Sequence, residues 1–169
     1  MEIDELTQYQ QKNDCPIPTG ILMIIGGGED RDSVMKEYTK LLEKENPVIE
    51  LVTTAGSVDV KQTYEEYKAL FEKHIPSRVN HVHHNHREDV DAKEVEARVK
   101  CADAVFFAGG DQLKLTSIYG GTGFLFLLKH RYIYERLVVG GTSAGAMVLS
   151  TPMIFAGTGA DEMIAGNGN

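Results

Sequence analysis

The chain has 169 residues, 42% hydrophobic and 25% charged, with a formal charge of −8. That is enough for one domain with a buried core. The acidic balance argues against non-specific nucleic-acid binding and suits a solvated acidic surface or a cationic ligand. Two cysteines, Cys15 and Cys101, fall in no metal or disulfide spacing, and Met1–Asp14 is polar with no apolar leader. No apolar run is long enough to span a bilayer. The expectation is a cytoplasmic protein with no cofactor, no metal, and neither nucleic acid nor membrane as partner.

Residues 1–16 read as a polar extension, and residues 17–169 as one α/β domain. Ile21–Ile25 is a continuous apolar run, the pattern of a strand buried on both faces, and it stops at Gly26-Gly27-Gly28. Val34, Tyr38, Leu41 and Leu42 then recur at helical spacing. Pro47 precedes a second strand, Val48–Thr53, and Tyr64, Tyr67, Phe71 and Ile75 mark a second helix. A third strand is expected over Val79–His84 and a helix over Asp89–Lys100. Ala104–Ala108 reads as a fourth strand, ending at Gly109-Gly110-Asp111-Gln112. Helix fills Leu113–Tyr134, broken near Gly120-Gly121, and Leu137–Gly140 is the fifth strand. This alternation predicts a parallel sheet with helices on both faces, and such sheets bind ligands beyond the carboxyl ends of their strands.

Three glycine-rich loops follow strands at those ends. The last, Gly141-Thr142-Ser143-Ala144-Gly145, has the G-x-S-x-G pattern of a nucleophile elbow, where a serine stands on a sharp strand-to-helix turn. Ser143 would attack a carbonyl, and the Ala144 N–H would help hold the oxyanion. The competing reading is a structural turn serine or helix cap. The first loop would add an N–H from Gly27 or Gly28, or is merely a tight turn. It is not G-x-G-x-x-G, and Glu29 and Asp30 stand where a pyrophosphate would approach. In the second loop Gln112 offers an amide to a carbonyl or carboxylate, while Asp111 reads equally as a helix N-cap.

Phe106-Phe107-Ala108-Gly109-Gly110-Asp111-Gln112-Leu113, followed by Gly140-Gly141-Thr142-Ser143-Ala144-Gly145-Ala146, resembles the cyanophycinase family of serine peptidases, relatives of dipeptidase E. Ile25–Asp30 and Thr53-Thr54-Ala55 fit the same family's earlier motifs. The resemblance implies a flavodoxin-like three-layer sandwich with a mostly parallel sheet, as in class I glutamine amidotransferases. It also implies cleavage of β-linked aspartyl peptides such as cyanophycin, whose product is β-aspartyl-arginine. By position in these motifs Ser143 would be the nucleophile, with Ala144 and Gly28 at the oxyanion. Gly110, Asp111 and Gln112 would line the substrate pocket.

The pattern departs from the family in one respect. The family's catalytic histidine lies downstream of the elbow, yet all six histidines here lie upstream: His74, His81, His83, His84, His86 and His130. Asp161 and Glu162 fall near the place of the triad's acid, against a plain reading as loop acids. The expectation is therefore a C-terminally incomplete peptidase that associates with a missing C-terminal fragment or with its own copies. The alternatives are an inactive relative serving in binding or assembly, or a dipeptidase E-like enzyme on short aspartyl peptides. His81, His83, His84 and His86 are reactive types at close spacing, but no cysteine joins them, and a polar strand end is the reading favoured over a metal site.

Overall fold

The computed structural model describes residues 16–150, apart from 29, 91 and 92. The extension before Pro16, together with Asp161 and Glu162, lies outside the described residues.

Five strands form one sheet: β1 (Ile21–Ile25), β2 (Val48–Val52), β3 (Arg78–Val82), β4 (Ala104–Phe107) and β5 (Val138–Thr142). All described pairings are parallel, in the order β1-β5-β4-β2-β3. The helices are α1 (Arg31–Thr39), α2 (Val60–His74), α3 (Lys93–Cys101), α4 (Gln112–Tyr119), α5 (Gly123–Tyr134) and the short α6 (Ala144–Met147). They cover both faces, so the expected three-layer α/β sandwich is the fold. The central strands β4 and β5 are buried at every position, which is why they read as apolar or glycine runs rather than alternating patterns.

Side chains alternate across the sheet and build two cores. On one face Ile49, Leu51 and Phe106 meet Met35 and Tyr38 of α1 and Tyr67 and Phe71 of α2. The Tyr38 ring stands edge-on to Phe106 with 5.2 Å between centroids, and Phe71 does so at 5.6 Å. Such pairs add about 0.5–1.5 kcal/mol beyond the area they bury. The Tyr38 hydroxyl donates to the carbonyls of Val105 and Val138, so its polar end is satisfied in the core. On the other face Val52, Val105, Phe107 and Val139 pack on Val99 of α3, Leu115 of α4 and Leu128 of α5.

Glu50 is a carboxylate inside a strand and is fully buried. Arg98 from α3 donates to it through Nε at 3.0 Å and Asn80 from β3 at 2.7 Å, while Arg98 also reaches the His81 carbonyl. The charge is tolerated because Arg98 pairs with it and Asn80 donates to it. Together these contacts tie β2, β3 and α3 into one block.

The structure shifts some sequence boundaries. β5 runs on to Thr142 because it pairs with β1 on one side and β4 on the other. The expected helix over Asp89–Lys100 is two elements, a 3-10 turn at Arg87–Asp89 and then α3. The 3-10 turn closes with the Val90 N–H on the Arg87 carbonyl, and the Val90 side chain is buried in the core. β3 ends at Val82, which leaves His83 and His84 in the loop beyond it. No helix among the described residues is long and apolar enough to cross a membrane.

Candidate active site

The strand order decides what meets at the carboxyl rim. β5, which delivers Ser143, lies between β1 and β4, which deliver the first two glycine loops. The three loops therefore border one cleft of about 440 Å3. Ser143, Gly27, Gly28 and Gly109 line one part of it, and Arg31, Thr63 and Tyr67 another.

Ser143 has φ +51° and ψ −118°, backbone that a non-glycine residue adopts only under constraint. Several contacts supply the constraint. Its N–H donates to the Ile25 carbonyl at 3.1 Å, and its own carbonyl accepts from Ala146 and Met147 at 3.0 Å. The Thr142 hydroxyl donates to the Gly26 carbonyl at 3.1 Å, fastening the elbow to the first loop. The surrounding glycines are required by space. A Cβ on Gly141 would lie 2.5 Å from the Gly145 carbonyl carbon, and one on Gly145 would lie 2.7 Å from that of Phe107. A Cβ on Gly109 would stand 3.2 Å from the Ser143 Cβ. The serine is thus the exposed tip of a turn whose flanking glycines are packed closely on their neighbours.

Ala144 follows Ser143 and opens α6, so its N–H has no acceptor within the helix. Gly28 lines the same cleft and has φ +76°, a conformation a glycine adopts freely. Ser143 and Gly28 line the same cleft, and Ala144 is the residue that follows Ser143 in the chain. The second loop is divided. Gly109 faces Ser143, but Gly110 packs on Ala55, and the Asp111 N–H donates to the Ala55 carbonyl at 2.9 Å. The Asp111 carboxylate caps α4, accepting from the Leu113 N–H at 2.8 Å and the Lys114 N–H at 3.4 Å. Gln112 begins α4 beside it. Asp111→Ala is expected to cost about 1 kcal/mol of stability through the lost cap. A rise in KM on top of that loss would show a substrate contact in addition.

The histidine cluster belongs elsewhere. β3 is three strands from β5, about 14 Å at ordinary strand spacing. His81 Nε2 lies 2.7 Å from the Thr53 hydroxyl and its ring stacks on Tyr64. His84 Nδ1 lies 2.9 Å from the Tyr119 hydroxyl, which in turn meets the Thr54 hydroxyl at 2.7 Å. The family-like Thr53-Thr54 pair thus braces the histidine loop. Among the described residues no three His, Cys, Asp or Glu side chains are grouped to hold a metal ion.

Burial above all holds the His81 imidazole below the ordinary histidine range, with the charges of His83 and Arg98 adding to it and Glu65 opposing. Burial does the same at His84, against the opposing charge of Asp89. The unfolded chain therefore binds protons more readily than the folded one. The neutral rings' contribution is complete above the unfolded histidine value and is lost as pH falls through it. Urea midpoints should fall between pH 7 and pH 5.5, and less steeply in a His81→Asn/His84→Asn variant. An unchanged slope would show that other groups carry the dependence.

The sequence profile of peptidase family S51 matches residues 22–166. The chain belongs to that family. It is 31% identical over 141 residues to a cyanophycinase of Synechococcus elongatus, covering 82% of this chain and 44% of the relative. It is 28% identical over 144 residues to one from Nostoc, covering 83% and 48%. The S51 chain thus spans about half the length of the curated relatives it matches. Its fold is similar to that of a peptidase from an acI-B1 Actinobacterium, with TM-score 0.63 and 25% identity over 79% of this chain and 58% of the other. A structure described as a peptidase E from Listeria monocytogenes EGD-e shares the fold at TM-score 0.57 and 18% identity, covering 79% and 61%.

Arg31, Thr63 and Tyr67 were not singled out by the sequence as site residues. Tyr67 read as core, which it also is, at 3% exposure. The only signal for Arg31 is its place directly after Gly26–Asp30.

Proposed function

We propose that this S51 chain carries the nucleophile of a serine peptidase that cleaves β-linked aspartyl peptides of the cyanophycin type. The observation that carries the reading is Ser143: exposed, held at positive φ on a glycine-flanked elbow, and lining one cleft with Gly28 and Gly109. Family membership and the likeness to cyanophycinases support the substrate class.

In this reading Ser143 Oγ attacks the scissile carbonyl, and the N–H groups of Ala144 and Gly28 bind the oxyanion of the tetrahedral intermediate. Collapse expels the amine and leaves an acyl-serine that water then hydrolyses. Both half-reactions need a base to take a proton from the attacking oxygen and return it to the leaving group. None of the described residues bordering the cleft is a histidine. The base is accordingly proposed to come from outside residues 16–150, from a further part of the polypeptide or an associated chain. The test is release of β-aspartyl-arginine from cyanophycin by the full-length protein, alone and beside Ser143→Ala. Equal release by both would overturn the reading. No release by either would favour an inactive relative that binds the polymer, which sedimentation with insoluble cyanophycin would register.

A further inference from the structure

Arg31 is the only charged residue among the described residues that line the Ser143 cleft. A chain of net charge −8 thus presents a cation beside its nucleophile. Its position is built. Arg31 is the first residue of α1, directly behind the Gly26–Gly28 loop, and Asp30 caps that helix by accepting from the Asp32 N–H and the Ser33 hydroxyl. The guanidinium carbon lies 5.3 Å from the centroid of the Tyr67 ring, and Nη1 donates to Glu66 Oε2 at 3.2 Å. Tyr67 and Thr63, one turn apart on α2, form the wall behind it. The group is preorganised, half-exposed, and already in contact with a carboxylate.

Resting on the peptidase reading above, we propose that Arg31 is a specificity-determining residue that binds a free carboxylate of the substrate beside the scissile carbonyl. A guanidinium presents five N–H donors in a planar fork, so the Glu66 contact through Nη1 leaves it the chemistry to take a second carboxylate. Arginine joined through its α-amino group to an aspartyl side chain keeps a free α-carboxylate, which places β-aspartyl-arginine peptides in the class that Arg31 selects. Neutral backbone N–H groups would hold the developing oxyanion while Arg31 holds a charge that does not change during the reaction. Its contribution is therefore to substrate binding, in KM rather than kcat.

The test compares β-aspartyl-arginine oligomers with the same oligomers carrying arginine carboxamides. Binding is measured by calorimetry on full-length Ser143→Ala, with and without Arg31→Gln, and turnover on the proteins that retain Ser143. The acid should bind about 10- to 100-fold more tightly than the amide, as for a hydrogen bond to a charged group. Arg31→Gln should erase that ratio and raise KM for the acid, and Arg31→Lys should restore only part of it. A ratio that persists in Arg31→Gln, or an equal loss on acid and amide, overturns the assignment while hydrolysis by the wild type leaves the peptidase reading standing. Failure of the wild type to bind or cleave either oligomer overturns both.

Discussion

Replacing Ser143 by alanine should lower kcat on β-aspartyl-arginine polymer by about 10^4-fold or more, with the fold intact. The size follows from the proposed role. Removing the nucleophile of an acyl-transfer site leaves only what the oxyanion donors and substrate binding contribute, and triad deletions elsewhere cost factors of this order. The fold should hold because Ser143 is an exposed tip and its conformation is imposed by contacts that alanine retains. Its N–H still meets Ile25, and its carbonyl still accepts from Ala146 and Met147. The urea midpoint should therefore shift by no more than a surface substitution does, about 0.5 kcal/mol. Chromatographic quantification of released dipeptide checks the first claim and denaturation the second. A Ser143→Ala protein as active as the wild type would move the chemistry to another residue.

Gly145→Ala should be strongly damaging for a single added methyl. Its Cβ would stand 2.7 Å from the Phe107 carbonyl carbon and 2.9 Å from the Phe107 Cβ. These atoms belong to β4, which is pinned between β5 and β2 and buried throughout. The clash cannot be relieved by rotating a side chain, so α6 must lift off the sheet. We expect about 3 kcal/mol of destabilisation, the upper part of the usual overpacking range. Activity should fall with it, because α6 carries Ala144 and the Phe107 segment leads to Gly109. Gly26→Ala is the comparison, since a Cβ there meets nothing within 4 Å; it should change stability by under about 0.5 kcal/mol. Similar losses in the two variants would refute the steric account of the elbow.

Much of the site is legible in the residue string. The elbow could be read because its chemistry demands small residues around one serine, and that demand survives in the residue string. Asp111 was readable only as a choice, since an Asp before a helix suits both a cap and a ligand; the structure supplies the cap. Arg31 was not readable, because an arginine at the first turn of a helix of mixed charge resembles any surface cation. Only the Tyr67 ring and the Ser143 cleft give it a direction. The histidine run showed the opposite failure. Four histidines within six residues draw attention as a group, yet His81 and His84 are spent on Thr53 and Tyr119.

The order of strands and helices, the parallel sheet and the residue types of the elbow are legible in the chain alone, while several element bounds are not. Hydrophobic runs and glycine punctuation are local properties, and local sterics decide them. Strand order is not local: nothing in the composition of β1, β4 and β5 says that β5 lies between the other two. That placement depends on long-range packing, with the Tyr38 ring occupying the space that a Cβ on Gly140 would need. It is the placement, rather than any one motif, that sets Gly28 and Gly109 on either side of Ser143. It also sets the histidine loop three strands away.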